Sequence, residues 1–356
     1  MSAQTSKSIF LSASGDLVAQ QAEANYAVEG SQCLIRTAYS AINPCDFIFF
    51  YMGFSDFITG FEFSGTVEKA GPDSSFQAGD AVCGISPVVR PMPSSHGAHQ
   101  DLFIAKSELI YKVPAGVSMK DAAAICMAGH TATDALFNVN GLGLAAAGVT
   151  GIDASGKGIL IWGGASSVGN MAIQLAKAAG FKYIFATASA KNHDTLRELG
   201  ATHTFDYKSP SVVEDIQNAQ KTLGIAIGHA FDTVGKGAAH PEPGVTSTPA
   251  LTKSALGASE DLRLACTLPV SEDPAFGFCT SYRPAGSVSA MGAPQDPESS
   301  TRVRKVVDYM LASSERVLRL PNVTVISGAE TGIQAIRRSA GGEMSLEKLV
   351  LKHPLE

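Results

Sequence analysis

Residues 159–180 read ILIWGGASSVGNMAIQLAKAAG. An apolar run enters two glycines, a short polar turn and an amphipathic helical stretch. A turn of this kind does phosphate chemistry when it bends sharply, lets the backbone approach the anion and packs the helix tightly on the strand. In the frame Gly164-Ala165-Ser166-Ser167-Val168-Gly169, Gly164 is expected to supply the bend and Gly169 the packing. The N–H groups of the first helical turn, Val168 included, then point at the anion. Serine at 166 adds a Cβ where the usual G-x-G-x-x-G has its middle glycine. The hydroxyls of Ser166 and Ser167 are expected to replace close backbone approach with hydrogen bonds to phosphate oxygens. A tight strand–helix turn without a ligand is the plain alternative.

The end of the next strand decides which dinucleotide fits. A carboxylate there accepts from a ribose 2′-hydroxyl, whereas a 2′-phosphate needs neutral or basic donors. The sequence is Thr187-Ala188-Ser189-Ala190-Lys191-Asn192-His193, and the nearest acid is Asp194. Ser189, Lys191 and Asn192 suit a 2′-phosphate, Lys191 as a point charge. NADPH is therefore expected over NADH, unless Lys191 is only a solvated helix-start charge. Tyr207, ending the third strand, is expected beside the adenosine. Asp232 and Thr233 follow a later buried strand and are expected on the nicotinamide side.

The elements that must position these residues alternate. Strands are expected at 159–163, 183–188, 202–207, 228–234 and 287–291, and helices at 170–180, 191–200 and 211–224. Consecutive strand–helix units at this spacing predict a parallel, doubly wound α/β sheet. The first 115 residues instead hold short β-branched and aromatic runs (33–42, 61–71, 101–113) split by turn residues, as in a β-barrel-like domain. MKDAAAICMAGHTATDALFNV (119–139) predicts one or two helices. The Gly/Ala-rich stretch 140–158 is long for a connection and marks an insertion or a boundary. A helix near 301–312 opens the tail.

The 356 residues are 45% hydrophobic and 17% charged, which suggests a globular chain of two domains. The net charge of -6 is dispersed, so nothing points to nucleic acid or a membrane surface. Six cysteines lie scattered without C-x-x-C spacing, and the N-terminus lacks an apolar leader core. Free thiols in a reducing compartment, and a cytoplasmic location, are the expectation.

SAINPCD (40–46), GFEFSGTVEKAGPDSSFQAGDAVCG (60–84), KVPAGVSMKDAAAICMAGHTA (112–132), LRELGATHTFDY (196–207), AFDTVG (230–235) and GEMSLEKLVLK (342–352) together resemble the medium-chain dehydrogenase/reductase superfamily. In the last of these, Leu346 replaces the second glycine of the closing G-x-x-x-G-K-x-V pattern. The resemblance covers nearly the whole chain. It implies a GroES-like β-barrel catalytic domain (1–127), a Rossmann cofactor domain (128–290) and a C-terminal return (291–356). WGGASSVG and the long loop look most like the fungal branch of zinc-free oxidoreductases and trans-acting enoyl reductases that partner polyketide synthases.

Zinc relatives carry cysteine where this chain has Asn43, and Gly-His-Glu where it has Gly60-Phe61-Glu62. Glu62 alone cannot hold a catalytic zinc, and no carboxylate is expected to be arranged beside His96 and His99, so no metal is expected. Hydride addition to an activated C=C bond then outranks carbonyl–alcohol interconversion, because no Lewis acid stands ready for an alkoxide. The resemblance implies Asn43 as a donor to a substrate carbonyl, or else a turn residue before Pro44. It implies Thr131 at a helix start as a cofactor contact, or else an N-cap. His130 beside it is expected to be structural. Relatives often place Tyr or Lys where this chain has Ile48, so the proton comes from water or from Tyr51. Ile48, Phe49 and Phe50 are expected to wall an acyl pocket, or to be core. The substrate is expected to be a small or carrier-bound enoyl compound, with a polyketide synthase as partner. A quinone or small-enone reductase is the nearest alternative, and a cofactor-binding protein without redox activity the more distant one.

Overall fold

The computed structural model describes residues 6–22, 25–145, 148–256, 261–288, 294–312, 318 and 320–356. Its chain forms two compact units, one of residues 1–127 with 311–356 and one of residues 128–310.

The first unit is a β structure. Strands β1 (Ser6–Leu11), β2 (Leu17–Ala22), β3 (Gln32–Ala41), β4 (Phe57–Ile58), β5 (Glu62–Ala70), β6 (Ala81–Ile85), β7 (Leu102–Lys106) and β8 (Ile110–Lys112) come from its N-terminal part. The run 101–113, read as one strand, is two, because residues 107–109 form a 3-10 turn between them. Helix α1 (Cys45–Ile48) runs into a 3-10 turn that ends at Gly53 with φ of 79°. Helix α2 (Met119–Ala122) follows, and α3 (Cys126–Phe137) starts at the end of this unit and runs on as the first helix of the second. Ser118 caps α2 by accepting from the Asp121 N–H.

The second unit holds β9 (Gly158–Trp162), α4 (Ser167–Ala178), β10 (Tyr183–Ala188), α5 (His193–Leu199), β11 (His203–Asp206), α6 (Val212–Leu223), β12 (His229–Asp232), α7 (Thr248–Leu256), β13 (Arg263–Cys266), β14 (Phe276–Phe278) and α8 (Ser299–Leu311). All six strands are parallel, in the order β11-β10-β9-β12-β13-β14. This is the 3-2-1-4-5-6 order of a doubly wound dinucleotide fold, with β9 and β12 on either side of the point where the order reverses. Every residue of β9 is buried, as a central strand covered on both faces requires. Residues 140–158 lie wholly within this unit, where Leu144 bridges Ile152, so the stretch is an insertion and not a boundary. The strand expected at 287–291 falls largely outside the described residues. The fifth and sixth positions of the sheet belong to β13 and β14.

The chain then returns to the first unit with β15 (Val323–Ile326), α9 (Ala329–Ala340) and β16 (Lys348–Lys352). The larger sheet there runs β15-β16-β3-β5-β6-β8, and β7 also pairs with β3. Two register shifts in β3, at Leu34/Ile35 and Thr37/Tyr39, bend it so that one edge serves β7 and then β16. The return begins at 311 rather than 291, because α8 buries Val303, Val306, Val307 and Met310. Its first residue accepts at the carbonyl from Asn138 Nδ2 (3.3 Å), within the second unit.

Candidate active site

The glycine turn of the second unit is built as the phosphate reading requires, with one shift of frame. Gly163, not Gly164, carries the left-handed backbone, with φ of 87°. Its N–H donates to Thr187 Oγ1 (3.0 Å), and the Gly164 N–H donates to the Thr187 carbonyl (2.8 Å). The end of β10 thus pins both glycines. Gly164 is needed for packing: a Cβ there would stand 2.9 Å from Leu196 Cδ1. Gly169 is tighter still, since a Cβ would meet the Gly163 carbonyl oxygen at 2.3 Å.

Ser166 caps α4. Its Oγ accepts from the Gly169 N–H (2.9 Å) and lies 2.9 Å from Thr233 Oγ1. Thr233 Oγ1 in turn donates to the carbonyls of Trp162 and Gly163, both at 2.9 Å. With the threonine proton committed to carbonyls, the Ser166 proton goes to Thr233. The hydroxyl expected on a phosphate is thereby engaged inside the turn. The N–H groups of Ser167 and Val168, both half-buried, have no partner among the described residues and remain for an anion. Ser166→Ala should therefore cost about 0.5–2 kcal/mol of stability, the usual value of a cap, read from the denaturant midpoint. Lost NADPH affinity at unchanged stability would instead make Ser166 a phosphate donor.

Ala188 pairs with Asp206, so the residues after β10 and β11 emerge side by side. Ser189 is half-buried, Lys191 exposed and Asn192 buried. Tyr207, 48% exposed, lies beyond β11, with Lys208 Nζ 5.9 Å from its ring centroid. Lys208 is a cation the sequence reading passed over; its place beside a strand-end tyrosine was the available signal. Asp232 is fully buried and faces its own loop. It accepts from Thr248 Oγ1 (2.6 Å), Val234 N–H (2.9 Å) and Gly235 N–H (3.1 Å). Burial pushes its carboxyl up, and these three donors oppose that shift. Thr131 is not at a helix start: α3 begins at Cys126, which removes the N-cap reading. The surroundings of His130 suit the structural role expected of it. Burial pushes it down to about 4, and its Nδ1 lies 3.1 Å from the Ser281 carbonyl.

The first unit gathers a different group. Asn43 Nδ2 donates to Glu62 Oε2 (3.0 Å) and to the Ala41 carbonyl (3.2 Å), and its Oδ1 accepts from Lys348 Nζ. Lys348 Nζ also lies 2.9 Å from Glu62 Oε2, while Glu62 Oε1 accepts from the Met127 N–H (2.8 Å). All three side chains are buried. Both amide hydrogens of Asn43 are thus spent within a buried lysine–carboxylate network, which corrects its expected role as a free donor to a substrate carbonyl. Sequence reasoning missed Lys348 as a partner: with Leu346 in the second-glycine position of the closing motif, the motif's lysine position is Glu347, and Lys348 lies one residue beyond it.

The aromatic stretch divides. Phe49 joins the core, with ring centroids 5.3 Å from Phe54 and 5.0 Å from Phe61. Phe50 packs on the β1–β2 turn, where a Cβ on Gly15 would come within 2.8 Å of its ring. Ile48 and Phe47 are half-buried. Tyr51 is 75% exposed, edge-on to Phe47 and Phe50 at 5.7 Å each, so its hydroxyl stands in solvent.

The donor set of the first unit does not fit zinc. An amide stands at 43 and a phenyl ring at 61, and the Glu62 oxygens are taken by Lys348, Asn43 and Met127. Among the described residues, no group of three or more His, Cys, Asp or Glu could hold a metal ion, and no helix is long and apolar enough to cross a membrane. The turn of the second unit does fit a pyrophosphate: a glycine-lined bend, two unpartnered N–H groups and no carboxylate on residues 188–193.

Comparison with known proteins finds dehydrogenases and reductases. Residues 29–115 match the family described as alcohol dehydrogenase GroES-like domain, and residues 167–242 the family described as zinc-binding dehydrogenase. Over 204 residues the chain is 34% identical to the dehydrogenase pigH of Monascus ruber, covering 54% of this chain and 55% of that one. The chain thus spans little more than half the length of that relative. It is 28% identical to the trans-enoyl reductase ACTTS2 of Alternaria alternata over 329 residues, 89% of this chain and 90% of the relative. A putative zinc-dependent alcohol dehydrogenase from Rhizobium etli shares the fold, with a TM-score of 0.74 at 21% identity and 98% of each chain covered.

Proposed function

We propose, for a chain that belongs to the medium-chain dehydrogenase/reductase superfamily, the reduction of an activated carbon–carbon double bond with NADPH as hydride source and without a metal. The observation that carries this reading is the donor set at 43, 61 and 62. An amide, a phenyl ring and a carboxylate engaged by lysine offer no Lewis acid for an alkoxide. A conjugated carbonyl or thioester needs none, because it delocalises the charge itself. The similarity to a trans-enoyl reductase along nine-tenths of both chains supports the same substrate class.

Reduced nicotinamide, when bound, supplies the hydride. The proton that completes the reduction comes from water or from Tyr51, and the chain's own residues bind and orient the reactants. The N–H groups of Ser167 and Val168 bind the pyrophosphate at the start of α4. Gly163 and Gly169 keep the bend narrow, and Ser166 with Thr233 holds it rigid. Ser189, Lys191 and Asn192, with Lys208 nearby, take the 2′-phosphate, and Tyr207 packs beside the adenosine. Of the aromatic stretch, Phe49 is taken by the core and Phe50 by the β1–β2 turn, which leaves half-buried Ile48, with Phe47 beside it, as the proposed apolar wall for an acyl chain. Thr131 is the proposed nicotinamide or ribose contact. The substrate is an enoyl thioester presented by the carrier domain of a polyketide synthase.

Lys191→Ala should weaken NADPH about tenfold or more, the value of one charge-assisted contact, and leave NADH nearly unchanged. Fluorescence titration of both cofactors reads this directly. Equal losses for the two would sink the 2′-phosphate assignment. Turnover of an acyl-thioester enone, set against a free quinone, then tests the substrate class. Preference for quinone would move the chain to the quinone reductases of the same fold. NADPH binding without turnover of either compound would make it a binding protein.

A further inference from the structure

The first unit buries a string of five polar side chains that the reading above does not use. Asp101 Oδ1 lies 2.9 Å from His353 Nδ1, and His353 Nε2 lies 2.8 Å from Ser40 Oγ. Ser40 Oγ lies 2.8 Å from His99 Nδ1, and His99 Nε2 lies 3.3 Å from Asp46 Oδ2. Ser40, His99 and Asp46 are wholly buried, and the Asp101 side chain is 17% exposed.

Each of these four contacts needs one hydrogen. Two neutral imidazoles and one hydroxyl supply three, and ionised carboxylates supply none. One contact must then set a lone pair against an oxygen. The structure identifies which one. Three contacts have hydrogen-bond length, whereas His99 Nε2 has no hydrogen-bond partner among the described residues, and neither does Asp46 Oδ1. In the three-hydrogen state, His353 donates to Asp101, Ser40 to His353 and His99 to Ser40.

We propose that the gap between His99 Nε2 and Asp46 Oδ2 is a buried proton-binding site, joined to the surface-facing Asp101 by His353 and Ser40 as a proton path. The count balances. With a fourth proton bound at the gap, the His99 Nδ1 proton passes to Ser40, the Ser40 proton to His353 Nε2 and the His353 Nδ1 proton to Asp101. Charge then moves from the inner end to the outer end while all four contacts keep their hydrogens. Uptake is the same sequence reversed.

Burial pushes the His353 imidazole down. The groups facing the inner end are the Cys45 thiol, pushed up by burial and by Asp46, and the Glu62–Lys348 pair beyond Asn43. Asp46 Oδ2 also accepts from the Asn43 N–H (2.7 Å). The bound proton therefore sets the strength of the bond that anchors the start of α1 and the aromatic stretch behind it.

The test is imidazole nitrogen NMR on the full chain with labelled histidine, with the Asp46 carboxyl carbon followed in parallel, between about pH 5.5 and about pH 9. The expected wild-type result is one proton beyond two neutral rings, seen as a histidinium or an Asp46 carboxylic acid, with His99 and His353 changing in one joint step. Ser40→Ala should cut the string and make the two rings change separately. Asp46→Asn keeps an acceptor for the Asn43 N–H but removes the ionisable group opposite His99 Nε2, so both rings should stay neutral and the step should vanish. Two neutral rings with an ionised Asp46 throughout the wild-type range would overturn the proposal. So would a joint step that survives Ser40→Ala.

Discussion

Lys348→Met is expected to destabilise the protein by about 3–5 kcal/mol, the cost of stripping a buried charge of its partner. The lysine side chain is 5% exposed and the Glu62 side chain not at all, so solvent cannot take over the lost contact. Methionine keeps the length of the stem and fills its volume, which isolates the charge effect from packing. What remains is a buried carboxylate holding only the Asn43 amide and the Met127 N–H. Urea titration should show the loss as a lower midpoint at unchanged slope. Glu62→Gln in the same chain should recover most of it, because the orphaned charge goes while an acceptor for Met127 stays. A single variant within about 1 kcal/mol of wild type would mean that the pair is better hydrated than its burial implies. No recovery in the double variant would mean that Lys348 acts by packing alone.

That network marks the limit of what the sequence discloses. Asn43 and Glu62 are 19 positions apart, and Lys348 lies 305 positions from Asn43. The partners meet only because β16 adds to the β3 edge, a pairing that no local pattern encodes. The glycine turn is local in sequence, and most of it was legible. A buried strand, a capped helix and a carboxylate-free strand end can each be read from a dozen residues. The misreadings there were of atoms. Either Gly163 or Gly164 can make the bend by residue type, and only the backbone angle tells them apart. Serine is both a cap and a phosphate donor by chemistry. Proximity to Thr233, 67 positions away, decides where its proton goes. Strands β13 and β14 escaped for another reason. RLAC and FGF are too short to carry a period of two, and the sheet supplies their pairing from β12 outward.

Gly169→Ala is the sharper test of the cofactor reading, because it adds one methyl group and removes no polar contact. The new Cβ would stand 2.3 Å from the Gly163 carbonyl oxygen and 2.8 Å from Gly164 Cα. Both neighbours are backbone, so no side chain can swing aside. Either α4 lifts from the turn or the bend opens at Gly163. Lifting the helix stretches the Ser166 Oγ bond to the residue 169 N–H and withdraws the Ser167 and Val168 N–H groups from the place a pyrophosphate would occupy. Opening the bend breaks the bonds from Gly163 and Gly164 to Thr187. Overpacking of this kind costs about 1–3 kcal/mol. NADPH and NADH should both lose affinity by about tenfold or more, because the pyrophosphate is common to them. That pattern separates the turn from Lys191, whose removal should touch NADPH alone. Fluorescence titration of both cofactors, with a melting curve on the same sample, distinguishes the cases. Equal loss of both cofactors in a chain that still melts cooperatively places the pyrophosphate at this turn. Full retention of both, with only the stability lost, would mean that the cofactor is held elsewhere and that 163–169 is a packing turn alone.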